Sequence, residues 1–67
     1  MEIMVVFSKH KQSREAKKIQ KLIMKNVPNP LVNISEEIEI FVEDNKIYLD
    51  RLKKIAQENG YEMEVIR

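Results

Sequence analysis

Between residues 13 and 27, Ala16, Ile19, Leu22, Ile23 and Val27 recur at 100° per residue on one side of a helix, and Arg14, Lys17, Lys18, Lys21 and Lys25 gather on the other. A helix with one apolar stripe has to bury it against a partner layer. The residues on either side supply one. Ile3-Met4-Val5-Val6-Phe7 is a continuous apolar run, β-branched at three of its positions and closed by the polar stretch from Ser8 to Ser13, which reads as a central strand buried on both faces. Ser13 is a suitable N-cap, because its hydroxyl accepts from unpaired N–H groups of the first turn. Pro28 disfavours helical geometry in the residue before it, so the helix ends near Asn26.

The second half also alternates strand and helix, without an internal repeat. Ile38, Ile40 and Val42 alternate with Glu39, Phe41 and Glu43, the period-two pattern of a strand with one face on a core. Asp44 or Asn45 caps a second helix, which buries Tyr48, Leu49, Leu52, Ile55 and Ala56. Gly60 ends it in the C′ position, with Tyr61 free to fold back on Ile55 or Ala56. Tyr61, Met63 and Val65 then alternate with Glu62 and Glu64 as a last strand. Residues 31–34 (LVNI) are either an extended connector or a short edge strand. The order is therefore β-α-(β)-β-α-β, an α+β two-layer sandwich with both helices on one face of a three- or four-stranded mixed sheet. If residues 31–34 pair, the topology is ferredoxin-like. Either way the far face of the sheet is bare, and Phe41 lies on it with Glu39, Glu43, Glu62 and Glu64.

At 67 residues the chain is one domain. With 43% hydrophobic residues it should fold, but a domain this small buries only about 60% of its extended-chain surface and its stability is marginal. The absence of cysteine excludes disulfide scaffolds, thiol nucleophiles and cysteine-ligated zinc. No apolar run approaches the roughly 18 residues a membrane span needs, and no signal-peptide pattern opens the sequence, so a soluble cytoplasmic protein without membrane contact is expected. The net charge of +1 conceals a polarity: residues 1–35 carry +5 and residues 36–67 carry −4.

Two regions could bind something. The loop 8–14 runs from a strand end into a helix start, where N–H groups, the helix dipole, Lys9, His10, Lys11, Ser13 and Arg14 favour an anion; it lacks the glycines of a phosphate loop. His10 is the only histidine, and spacing gives it no catalytic partner. Together with Lys17, Lys18, Lys21 and Lys25, this loop makes a basic face suited to nucleic-acid phosphates or a phosphate ligand, although the same lysines would also keep an amphipathic helix soluble. The second region is the bare sheet face: the first strand is apolar at both parities, so either Met4 and Val6 or Ile3, Val5 and Phe7 point outward beside Phe41, and Met4, Val6 and Phe41 are the candidate protein interface. No nucleophile–base pair, metal constellation or cofactor motif is present in the sequence, so a non-enzymatic binding or adaptor module acting on a protein partner or a second copy is expected, with nucleic-acid binding as the alternative.

Residues 35–66, from 35–45 (SEEIEIFVEDN) through 52–66 (LKKIAQENGYEMEVI), resemble the strand-helix-strand half of the TusA/SirA-like sulfur-carrier proteins, in which an apolar strand leads through an acidic turn to a helix ending Ala-x-x-x-Gly. That resemblance implies a carrier-type fold. The family's Cys-Pro-x-Pro motif should fall near Gln12 to Arg14, where this chain has no cysteine, so persulfide chemistry does not carry over. Residues 5–9 and 12–18 are similar to the first strand and active-site helix of glutaredoxins, again without the cysteines.

Overall fold

In the computed structural model, which describes residues 1–9 and 15–67, the elements follow in the order β1 (Glu2–Ser8), α1 (Ala16–Asn26), β2 (Leu31–Ile34), β3 (Ile38–Glu43), α2 (Lys46–Glu58) and β4 (Glu62–Ile66). Residues 31–34 do pair, antiparallel to β3, and the sheet order is β2-β3-β1-β4. This is the split-βαβ, ferredoxin-like arrangement. The sheet is antiparallel throughout, not mixed. The reason is topological. Each helix joins two strands that run in the same direction, β1 to β2 and β3 to β4, but in each case another strand lies between them and opposes both.

Register decides which side chains meet. Ile3↔Val42, Val5↔Ile40 and Phe7↔Ile38 pair on the helix side, and all six are buried. Ile19, Ile23 and Val27 from the first helical segment, with Leu52, Ile55 and Ala56 from α2, close the core over them; Ala16, Leu22, Tyr48, Leu49, Tyr61, Met63 and Val65 pack at its margin. The β1 strand is central, as its apolar run predicts, but it is not covered on both faces, because both helices lie over its odd-numbered residues. No polar or charged side chain is buried among the described residues.

The helix ends follow local chemistry. Val27, held extended ahead of Pro28, closes α1 with its N–H on the Ile23 carbonyl, and Asn29, between two prolines, takes a positive φ of 50°. The Arg51 guanidinium donates to the Asn26 carbonyl at 2.8 Å, placing a cation at the negative end of α1. Of the two candidate caps for α2, Asn45 takes the role: its Oδ1 accepts from the N–H groups of Ile47 at 2.8 Å and Tyr48 at 3.4 Å. Asp44 instead faces Arg67, 3.5 Å away. At the other end Tyr61 N–H donates to the Ala56 carbonyl and Gly60 N–H to Gln57, with Gly60 at φ 76°. This is a Schellman closure with Gly60 at C′. The Ser13 cap lies outside the described residues; α1 begins at Ala16 with Glu15 in the N-cap position. Lys46, Asp50, Lys54 and Glu58, spaced for i,i+4 pairing, are exposed, and none of them enters an ion pair among the described residues.

Candidate functional site

The bare face of the sheet is built by the even-numbered residues of β1 and their cross-strand partners. Opposite Met4 stands Phe41 on one side and Ile66 on the other, and opposite Phe41 stands Leu31. Leu31, Phe41, Met4 and Ile66 therefore form one apolar row at right angles to the strands, crossing all four. Leu31 is 67% exposed and Ile66 44%, while Phe41 and Met4 are half-buried by their neighbours in the row. With strands about 4.8 Å apart, the row is roughly 14 Å long.

Carboxylates flank it on both sides. Glu2 and Glu43 pair beyond one side; Glu39 and Glu64 stand beyond the other, on either side of Val6, and Glu62 pairs with Ser8 one step further. Asn33 Nδ2 donates to Glu39 Oε1 at 2.9 Å, and the Met1 ammonium donates to Glu43 Oε1 at 2.9 Å. The Met1 amino group is held above its ordinary value of 8.0, first by that hydrogen bond and then by the Glu43 charge, with Asp44 and Glu2 adding and partial desolvation opposing.

Phe41 stands on the bare face, and of the two parities open to β1 the register puts Met4 there with it. Val6 shares their face but is only 7% exposed between its two glutamates, so it floors the surface without offering contact. Leu31 and Ile66 belong to the row and escaped the sequence reading. For Ile66 the signal was present, since it continues the parity of Glu62 and Glu64; for Leu31 it was absent until β2 was known to pair.

The described lysines of α1 fall in the other layer. Lys17, Lys18, Lys21 and Lys25 are exposed on α1, and none of them enters an ion pair among the described residues. Lys9 is spoken for: its ammonium donates to the Asn59 carbonyl at 3.1 Å, at the C-terminal end of α2, and lies 5.0 Å from the centre of the Tyr61 ring. There it neutralises a helix terminus. His10, Lys11, Ser13 and Arg14 lie outside the described residues. A cleft of about 190 Å³ opens at this end of the sheet between Phe7, Ala16, Ile38 and Tyr61. Its walls come from β1, α1, β3 and the turn after α2, segments apart in sequence, which is why no motif announces it.

The domain is thus polarised through its thickness, with lysines over the helices and glutamates over the sheet. Among the described residues no group of three or more His, Asp or Glu converges on a point, and no helix is long and apolar enough to cross a membrane. No protein family, curated protein or solved structure matches this chain.

Proposed function

We propose that the protein is a small non-enzymatic adaptor, a cysteine-free variant of a carrier-type fold, that works by docking another protein on its bare sheet face. The observation that carries this reading is the apolar row Leu31-Phe41-Met4-Ile66, continuous across four strands and rimmed by carboxylates. An exposed apolar patch with a polar rim is what interaction sites present, since leaving it in water forgoes hydrophobic burial. Photo-crosslinking in the native cells tests it, with p-benzoylphenylalanine placed at Phe41 or, as a control on the opposite layer, at Lys53. Protein adducts specific to position 41 are expected. Equal labelling at both positions, or none at either, refutes the reading.

A second reading rests on the four exposed lysines of α1, which enter no ion pair among the described residues: binding of nucleic-acid phosphates along that helix. It requires an affinity for single- or double-stranded probes that falls steeply with salt and is abolished by Lys17→Glu with Lys21→Glu. Mobility-shift titrations at low salt without retardation of either probe eliminate it.

A further inference from the structure

Resting on the docking reading above, we infer that the occupant of the sheet face is a basic amphipathic α-helix of a different protein, laid along the apolar row and across the strands. The row supplies one apolar contact per strand at intervals of about 4.8 Å, close to the 5.4 Å pitch of an α-helix. A helix with apolar residues at i, i+3 or i+4, i+7 and i+11 therefore places one side chain over each of Leu31, Phe41, Met4 and Ile66 within about three turns. Its two flanks then lie over Glu2 and Glu43, the latter already paired with the Met1 ammonium, on one side and over Glu39 and Glu64 on the other, about 7 Å to either side of the row. Lysine or arginine on both flanks meets those carboxylates, and acidic flanks are repelled.

A second copy of the chain does not meet these requirements. Stacking two identical faces about a two-fold axis, row on row, brings the glutamates flanking one row against those flanking the other. The protein's own basic helix is no better suited: of the residues on its outer side only Met24 is a large exposed apolar group, which offers one contact where the row offers four. The other exposed large apolar residues among those described are Met1, Leu31, Ile34, Ile47 and Ile66, and they compose no helical stripe.

The test uses two synthetic 18-residue helical peptides with identical leucine positions, one flanked by lysine and the other by glutamate, each titrated into the isotopically labelled protein and followed by amide shifts and anisotropy. The lysine peptide should bind about tenfold or more tightly than the glutamate peptide, shifting Met4, Phe41 and Ile66 and leaving α1 unmoved. Phe41→Ser should weaken it about tenfold, and Glu39→Lys with Glu64→Lys should reverse the charge preference, with melting curves confirming that both variants fold. Equal binding of the two peptides overturns the basic helix while leaving the docking face intact. Failure of both peptides, together with a dimer in light scattering that Phe41→Ser dissociates, assigns the face to a second copy and also overturns it. Failure of both peptides with a monomer at all concentrations, low and high salt alike, overturns the inference, and the crosslinking result then decides the docking reading separately.

Discussion

Lys9 and Asn59, fifty positions apart in the chain, meet where the Lys9 ammonium donates to the Asn59 carbonyl at 3.1 Å, beside the Tyr61 ring. The last carbonyls of α2 have no partners within the helix, and a cation there satisfies one of them and opposes the dipole. Lys9→Met keeps the alkyl stem and removes the charge, so it should cost about 0.5–1 kcal/mol in urea unfolding, and Lys9→Glu more. A Lys9→Met variant as stable as the parent would reduce this contact to an incidental one.

Gly60 turns the chain from α2 into β4 at φ 76°. A Cβ there would meet only the end of the Lys9 side chain, at 3.7 Å and 3.8 Å, ordinary contact distances, so the penalty for a substitution is conformational and not steric crowding. Gly60→Ala should lose about 1–2 kcal/mol, and Gly60→Asn distinctly less, because asparagine tolerates the left-handed region. Chemical denaturation of the two variants side by side checks the order.

Ile23 is fully buried between α1 and the sheet, in one cluster with Val5, Phe7 and Leu52. Ile23→Ala should cost about 2–5 kcal/mol, and in a domain of this size each kcal/mol lowers the melting temperature by about 4–8 °C. A calorimetric midpoint unchanged by the substitution would remove α1 from the core.

The Met1 ammonium, paired with Glu43, has its pKa raised in the folded chain. A group raised on folding gives stabilisation that is fully present below its ordinary value and is lost as pH climbs through the higher folded value. The stability of the parent relative to Glu43→Gln should therefore shrink as pH rises above 8.0, with the difference flat across neutral pH just below it. Paired thermal melts across that window read the effect; a difference that grows with pH contradicts the assignment.

What residues 1–67 determined by themselves is the set of elements other than β2, and most of the inward faces. Ile19, Ile23 and Val27 repeat at helical spacing, Ile38, Ile40 and Val42 at strand spacing, Gly60 sits where cap chemistry places it and the α2 cap is narrowed to Asp44 or Asn45, because these are preferences of short segments that do not need the rest of the chain. Only the tertiary structure decided the rest. The β1 strand is apolar at both parities, so nothing local says whether Met4 and Val6 or Val5 and Phe7 face the helices; pairing with β3 and β4 on either side settles it, since a one-residue slip would turn every side chain over. Leu31-Val32-Asn33-Ile34 has no contrast between its faces, and it becomes a strand because β3 offers it an edge whose N–H and C=O groups need partners. The apolar row is likewise a property of register: its four residues come from four strands, and they become one surface only when the sheet lines them up.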